Sequence, residues 1–236
     1  MLYIVFNNQN SLEDLDLGIL TSNEHSKTEE EIEFLEVKKR QGGSLVRRTG
    51  NYKDIILKRT FRILKTDKRE MRIKRVIDWL TNIEDNRLFF SDYSERCYIV
   101  KKATIINVKD IKRHFIEIEV EFHCEPFLKD MYEIDEELIN ANQEIFNPGD
   151  VPTRPIFEFK LTGTAQKVTL KVNEKTLDIF NATGTLIIDS ANFRAISDGI
   201  EVKTDGNFPV LETGYNNISW VGTGTAIIKK NSLYRG

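Results

Sequence analysis

The sequence predicts a mainly β protein with one α-helix, in which an N-terminal β-domain is followed by a β-sandwich. Three observations predict this. Apolar and polar residues alternate almost without error over Lys112–Phe127, which is the period of a half-buried strand. Helical spacing of apolar residues is clear over Lys68–Thr81. After Pro155 the chain consists of short alternating segments with regular turn signals, which is typical of a sandwich.

Composition and charge limit the function classes. The chain has 236 residues, enough for one large or two modest domains of about 100–200 residues each. Its 34 basic and 37 acidic residues give a net charge of −3, so no excess of positive charge is present to hold a nucleic-acid backbone. The N-terminal apolar run, Leu2–Phe6, is shorter than a signal-peptide core or a membrane span. We therefore expect a folded protein with no export signal, no membrane anchor and no sequence-specific nucleic-acid binding.

The residue types that most often carry catalysis or bind metals form no recognisable site. Cys97 and Cys124 lack a Cys-x-x-Cys spacing, and two buried free thiols are expected in preference to a disulfide or a metal site. None of His25, His114 and His123 has a nucleophile in a matching pattern. His123 and Cys124 are neighbours in a strand, so their side chains should point to opposite faces.

Paired carboxylates are also present, but their pattern does not indicate catalysis. A glycosidase needs two carboxyl groups about 5–10 Å apart across a cleft. Glu117, Glu119 and Glu121 share one strand face, yet such an acidic face is more often solvated or interfacial, and no acid lies in an apolar setting. The glycine pairs lack the Lys-Ser/Thr of a P-loop and the helix of a dinucleotide-binding turn. The sequence predicts no enzyme, no cofactor and no metal.

In the N-terminal half, strands flank a segment in which charges are segregated by sign. Met1–Asn7 reads as a short strand that ends in a polar turn. Residues 24–36 contain six glutamates and one lysine, whereas residues 37–53 are basic without any acid. Two glycine-containing turns lie in the basic part, so we expect a long, exposed hairpin arm at Glu24–Lys53. An alternating strand, Asp54–Leu64, should follow it.

The single helix is expected next, at Lys68–Thr81. Asp67 and Glu70 have the spacing of a capping box at its start. Further strands are expected at Leu88–Phe90 and Arg96–Lys102.

A hairpin should complete the N-terminal domain, formed by Ala103–Val108 and Arg113–Phe122 around a turn at residues 109–110. Asp135–Asn142 reads as a short acidic connector with helical character, and Asn147–Pro152 is the strongest break in the chain. We place the domain boundary before that break, which gives domains 1–135 and 136–236.

The second domain is predicted to contain only strands. Gly and Asn turn signals separate the alternating segments, and no helix interrupts them, which favours a β-sandwich of jelly-roll type. The apolar positions of the expected strands are Phe157/Phe159/Leu161, Val168/Leu170/Val172, Leu177/Ile179, Leu186/Ile188, Ile200/Val202 and Ile218/Trp220.

Aromatic residues of this domain offer one further binding possibility. Phe208, Tyr215 and Trp220 could stack on sugars, and Tyr215 and Trp220 are the candidate glycan contacts. Trp220 alternates with Ile218, however, so its side chain is expected to point into the core.

The order of these features resembles the phage distal tail protein (Dit) family, also called the siphophage tail component family, across essentially the whole chain. The more specific parts are Trp79-Leu80 at the helix end, the run Leu88–Asp92 leading to Tyr98, and the strand close Cys124–Phe127. Further matching parts are Ile4–Asn7, Arg40–Gly43, Ile55–Leu64, Asn147–Gly149, Pro155-Ile156, Asp205–Asn216 and Tyr234-Arg235.

The resemblance implies a structural hub rather than an enzyme. It implies a homohexameric ring at the tip of a long non-contractile tail, with a ring-forming β-domain first and a galectin-like β-sandwich second. Such a ring joins the tail tube protein to tail-tip or tail-associated proteins and to receptor-binding or baseplate proteins, and DNA would pass through it. The protein would be made in the host cytoplasm and located in the virion. The alternative is a carbohydrate-binding module for host-surface attachment, in which the first domain has no role.

A closed ring needs two different patches of one chain to meet, and the hairpin arm is the candidate for one of them. Complementary charge would set the register, and apolar groups would supply most of the affinity. The predicted subunit-interface residues of the arm are Glu29, Glu30, Glu31, Lys38, Lys39, Arg40, Arg47 and Arg48.

Overall fold

The computed structural model describes residues 2–20, 27–35, 45–63, 67–111, 115–139 and 142–236, which divide into two compact units. Unit 1 comprises Met1–Met131 with Arg235–Gly236, and unit 2 comprises Tyr132–Tyr234. Whether residues 136–236 fold alone, as the predicted boundary requires, stays a prediction.

Unit 1 contains ten described strands and one helix, which confirms the mainly β fold class with a single predicted helix for this half. The elements, in chain order, are β1 (Ile4–Phe6), β2 (Gln9–Asn10), β3 (Leu17–Ile19), β4 (Glu30–Leu35), β5 (Leu45–Tyr52), β6 (Ile55–Ile63), α1 (Arg69–Thr81), β7 (Arg87–Phe90), β8 (Tyr93–Ile111), β9 (Phe115–Cys124) and β10 (Leu128–Asp130).

One antiparallel sheet organises unit 1. Its strand order is β2-β1-β7-β8-β9-β6-β3, and β10 pairs with the start of β8. The β9 residues alternate between buried and half-buried along the whole strand, as the alternation of the sequence predicted. Cys124 is buried and His123 is not, so the predicted divergence of these two side chains is confirmed.

The core of unit 1 lies between one face of this sheet and the helix. Val76, Trp79 and Leu80 are the buried residues of α1. The Trp79 ring meets Phe6 and Phe61 edge-on, at centroid distances of 5.8 and 6.1 Å, an arrangement that aromatic pairs prefer. The Trp79 indole Nε1 donates a hydrogen bond to the backbone oxygen of Phe6 at 2.7 Å, so its buried donor is satisfied.

The start of the helix differs from the predicted capping box. Lys68 is the N-cap residue, and it has left-handed backbone geometry with φ 49°. Among the described residues, its side chain makes no capping hydrogen bond to the helix. Asp67 instead accepts a hydrogen bond from Arg72 Nη2 at 3.1 Å. Arg72 also donates to Asp16 at 2.8 Å, and these interactions raise the pKa of its guanidinium. The capping-box prediction is wrong because Asp67 pairs with an arginine rather than with the backbone N–H groups of the first turn.

The predicted hairpin of β8 and β9 forms, but its turn lies elsewhere. β8 is a continuous strand of 19 residues, and its last register pair is Ile111 with Phe115. Residues 109 and 110, predicted as the turn, lie in this strand and pair with Glu117 and Ile116. The ion pair between Lys109 and Glu119 gives a physical reason for the extension, because it links the two strands at a position where the turn was expected.

Unit 2 consists of strands only among its described residues. They are β11 (Glu136–Leu138), β12 (Gln143–Asn147), β13 (Ile156–Leu161), β14 (Gln166–Val172), β15 (Lys175–Ala182), β16 (Thr185–Asp189), β17 (Arg194–Ser197), β18 (Ile200–Glu201), β19 (Thr204–Gly206), β20 (Gly214–Val221), β21 (Gly224–Lys229) and β22 (Leu233–Tyr234).

Two antiparallel sheets pack into the predicted β-sandwich. One has the order β11-β21-β13-β16-β17-β18 and the other the order β12-β20-β14-β15-β19. Their inward residues share one core, in which Phe159 meets Trp220 edge-on at 5.1 Å.

One local prediction in this half is wrong. Residues 136–138 of the predicted helical connector form β11, which pairs with β21 and buries Leu138, because the edge of the sheet offers backbone partners. The predicted break at residues 147–152 follows the end of β12 at Asn147 and lies inside unit 2, which begins before it.

Two further findings concern cysteines and membrane spans. Cys97 and Cys124 are buried free thiols, as predicted, and burial raises their pKa values to about 11 and about 12. In the described ranges, no helix is long and apolar enough to cross a membrane.

Candidate assembly surfaces

The described part of the predicted hairpin arm is a two-stranded antiparallel sheet. β4 and β5 pair only with each other, with the register Ile32–Arg48, Glu33–Arg47 and Phe34–Val46. An isolated two-stranded hairpin is marginally stable in water, because neither of its faces is buried by another element. The described strands of the predicted arm pair as a hairpin requires, and residues 36–44 between them lie outside the described residues.

The arm exposes several large apolar side chains, which are unfavourable on a hairpin that is surrounded only by water. Ile32, Phe34, Leu35 and Val46 are between 43% and 69% exposed. By register, Phe34 and Val46 lie directly opposite each other and so share one face. Several exposed apolar side chains on one small element mark an interaction surface more often than a solvated one.

The base of the arm is anchored within unit 1. The Tyr52 ring meets Phe127 edge-on at 4.7 Å. The Thr28 hydroxyl donates to the backbone oxygen of Pro126 at 2.8 Å, and the Lys53 backbone N–H donates to the oxygen of Glu29 at 2.9 Å. These contacts place the start of the arm while its outer part stays uncovered among the described residues.

Several of the predicted interface charges have partners across the hairpin itself. Arg47 lies 3.8 Å from Glu33, Arg48 lies 3.6 Å from Glu30, and the ammonium group of Lys53 lies 3.2 Å from Glu29. Antiparallel pairing places the acidic strand against the basic one, which explains part of the charge segregation within one chain. Exposed ion pairs of this kind contribute only about 0–1 kcal/mol each.

The other predicted arm residues divide into two groups. The carboxylate of Glu31 has no ion-pair partner in the described ranges. Lys38, Lys39 and Arg40 lie outside the described residues. The role of all eight residues in contacts between subunits stays a prediction.

A second surface lies along the far half of β8 and was missed by sequence reasoning. β7 pairs with β8 only as far as Ile99. From Lys101 to Ile111, β8 has β9 on one side and no described strand on the other; we call this segment the β8 edge. Ile106 and Val108 are exposed there. A long strand edge with exposed apolar residues is a ready site for pairing with another strand.

The acidic face of β9 is neutralised by its neighbours rather than arranged for catalysis. Glu117 accepts a hydrogen bond from Arg62 Nη2 at 2.7 Å, and Glu121 lies 3.3 Å from Lys58. Glu119 pairs with Lys109 across the β8–β9 hairpin. Cross-strand pairs of opposite charge stabilise a sheet, so this face has a structural explanation. Among the described residues, no group of three or more His, Cys, Asp or Glu residues could hold a metal ion.

The two candidate glycan contacts lie in different environments. Trp220 is 1% exposed in the sandwich core, so its side chain is not accessible to a ligand. Its inward orientation agrees with the alternation of apolar residues along the strand. Tyr215 is 73% exposed on the outer face of β20. Beside it lies Phe146 of β12, with a centroid distance of 5.0 Å. Phe146 was missed because only the register of β12 with β20 brings the two rings together.

Comparison with known proteins gives a structural match and no sequence match. No protein-family profile and no curated protein sequence matches the chain. The crystal structure of SPP1 Dit (gp 19.1) matches with a TM-score of 0.72 and 16% sequence identity, covering 97% of this chain and 97% of that chain. That protein is described as a paradigm of the hub adsorption apparatus in phages that infect Gram-positive bacteria. At this identity the likeness establishes the fold, so the predicted resemblance is confirmed as a Dit fold.

Proposed function

We propose that this chain with a Dit fold is a structural hub of a phage or prophage-derived tail tip, where it forms a homohexameric ring. The observation that carries the proposal is the hairpin arm, which exposes apolar side chains on a fold shared with a phage hub protein. An arm of this kind gains stability only when another surface covers it.

Apolar contacts rather than ion pairs supply the affinity between subunits. Burying an exposed side chain of the size of Ile32, Phe34 or Val46 contributes about 1.5–3 kcal/mol. The exposed ion pairs of the arm contribute about 0–1 kcal/mol each. Charge complementarity therefore sets the register of the contact between subunits, and burial of the apolar side chains stabilises that contact.

Ring closure needs two different patches, and the β8 edge is the second one. It offers open backbone groups together with Ile106 and Val108, and Lys102 is exposed beside them. The β4 strand carries Glu31, an acidic partner for such a surface. A contact between the arm of one subunit and the β8 edge of the next is heterologous, which is the type of contact that closes a ring.

The ring joins the tail tube protein to tail-tip or tail-associated proteins and to receptor-binding or baseplate proteins, with DNA passing through it. Its place is the tail tip of the virion, and it catalyses no reaction. The fold match with a phage hub protein supports this role.

Light scattering and negative-stain imaging of the purified protein test the ring directly. We expect six-fold rings at high concentration or after addition of the tail tube protein. The double variant Phe34→Ser, Val46→Ser should raise the concentration needed for assembly by at least about tenfold, because the two losses together exceed about 1.4 kcal/mol. Ile200→Ser, which changes an exposed apolar residue of unit 2, is the matched control. Compact monomers under all these conditions would contradict the proposal.

A further inference from the structure

A polar groove lies on the outer face of the five-stranded sheet of unit 2. It has a volume of about 450 Å³, within the range of small-molecule sites. β14 and β20 form its floor, where Lys171 and Ser219 are register partners. The lining residues are Asn142, Lys171, Asn173, Glu174, Asn217 and Ser219.

The floor of the groove is held by a network of asparagine side chains. Asn173 has left-handed backbone geometry in the tight turn between β14 and β15. Its side chain donates to Asn216 Oδ1 and accepts a hydrogen bond from the backbone N–H of Asn217, both at 2.9 Å. Asn216 is fully buried, and its amide also donates to the backbone oxygens of Glu212 and Gly214. This turn is therefore a rigid support for the groove.

The groups that face the groove have unused hydrogen-bonding capacity. Within the described residues, the side chains of Lys171, Glu174, Asn217 and Ser219 make no hydrogen bond or ion pair. Together they offer an ammonium donor, a carboxylate acceptor, an amide with one donor side and one acceptor side, and a hydroxyl that can do both. Their charges sum to zero.

The exposed aromatic pair lies next to these groups. Tyr215 and Asn217 are two residues apart on β20 and so share its outer face. Phe146 and Glu144 of β12 are their register partners. The outer face therefore continues from a polar groove to an uncovered aromatic surface.

We propose that this groove and the Tyr215–Phe146 pair bind an uncharged saccharide. Vicinal sugar hydroxyls are donors and acceptors at once, which matches an amide, a hydroxyl and a pair of opposite charges. The C–H face of a sugar ring matches an exposed aromatic ring. A phosphate ligand fits less well, because Lys171 is the only cation among the described lining residues and Glu174 would repel a phosphate.

The expected affinity for one groove is weak. The groove is open to solvent, and water already satisfies the hydrogen bonds of the ligand's hydroxyl groups before it binds. We therefore expect a dissociation constant on the order of 1 mM. If the proposed hexamer forms, six grooves on one particle would raise the apparent affinity for a polymeric glycan. Only this last step rests on the proposed function.

Saturation-transfer NMR on the full-length protein tests the site, because this method reports weak binding in both monomers and rings. The probes are the methyl glycosides of glucose, galactose, N-acetylglucosamine and rhamnose, with inorganic phosphate as an anionic comparison. We expect transfer to at least one glycoside. Tyr215→Ala and Asn217→Ala should each weaken that binding by about tenfold. Val221→Ala, an exposed change further along the same face of β20, is the matched control and should leave it unaltered.

Three outcomes would overturn the inference. They are no transfer to any glycoside at about ten times the expected dissociation constant, transfer that persists unaltered in the Tyr215→Ala, Asn217→Ala double variant, and binding of phosphate alone. Unchanged melting temperatures of the variants exclude loss of folding as the cause. Light scattering, with and without the tail tube protein, separates this result from ring formation. A protein that binds a glycoside but stays monomeric under all these conditions would contradict the hub and support the groove, and a ring without binding would do the reverse.

Discussion

At the scale of single residues, Asn7 connects three parts of unit 1. Its amide donates to the backbone oxygens of Trp79 and Asn82 at 3.0 and 2.7 Å, at the end of the helix. Its side-chain oxygen accepts from the N–H groups of Glu84 and Asp85. One side chain thus satisfies helix-end carbonyls and fixes the loop that follows.

Replacing Asn7 with alanine should lower the free energy of unfolding by about 1–3 kcal/mol, because four backbone groups lose their hydrogen bonds, two of them at half-buried sites. Asn8→Ala is a matched control, since both residues have positive φ values, 51° and 58°, and therefore suffer the same backbone strain. Urea unfolding of the two variants measures the difference. Equal effects would show that the side chain of Asn7 contributes nothing beyond its backbone geometry.

The buried thiols of Cys97 and Cys124 should make the fold sensitive to alkali. Burial raises their pKa values in the folded state from 9.0 to about 11 and about 12. Below pH 9 the thiols are neutral in both states. As the pH rises from 9 towards 12, unfolded thiols ionise while folded ones stay neutral, so stability is lost over this window.

The measurement is the urea midpoint at pH 8 and at pH 10.5, which should fall for the wild-type protein. In the Cys97→Ala, Cys124→Ala variant the fall should be smaller, although Tyr98, whose pKa burial raises to about 12, keeps part of it. An equal fall in both proteins would assign the alkaline sensitivity to other groups.

At the scale of elements, the charged residues of the hairpin arm can act within one subunit or between two subunits. The ion pairs within the hairpin are long and exposed, so they stabilise the subunit little. Replacing Arg47 and Arg48 with glutamate should therefore change the melting temperature by only a few degrees. Assembly should weaken, because the new carboxylates repel Glu33 and Glu30 across the hairpin and disturb the surface that the arm presents. The loss of assembly should be larger at low salt, where this repulsion is least screened.

Light scattering across a salt series compares this variant with Arg194→Glu, which breaks a similarly long exposed pair with Glu201 in unit 2. Equal assembly of the two variants at low salt would show that the charges of the arm do not contribute to the interface between subunits.

At the scale of the whole molecule, the two compact units lead to a prediction about fragments. Residues 136–236 should express as a soluble β-protein with a cooperative melt, because the sandwich has its own core. A fragment that starts at residue 132 should melt at a higher temperature. The reason is Glu133, whose carboxylate accepts hydrogen bonds from the N–H groups of Asn231 and Ser232 at 2.8 and 2.9 Å.

Thermal melts monitored by circular dichroism compare the two fragments, with Glu133→Ala in the longer one as the control that should remove its advantage. A disordered 136–236 fragment would show that the predicted boundary does not delimit a folding unit.

The sequence by itself determined the elements whose pattern is local. Alternation placed β9 and most sandwich strands, and helical spacing placed α1, because each strand or helix face repeats with a period that neighbouring residues reveal. The same periodicity turned Trp220 inward. The ordered motifs were enough to indicate the Dit fold, which the structural match confirms.

Only the tertiary structure decided which residues meet across strands. The Tyr215–Phe146 pair, the partners of Arg47 and Arg48, the length of β8 and the four hydrogen bonds of Asn7 all depend on register and on contacts between distant segments. β11 formed for the same reason, since a sheet edge offered it backbone partners. Such contacts are set by packing of the whole chain, so no local period of the sequence contains them.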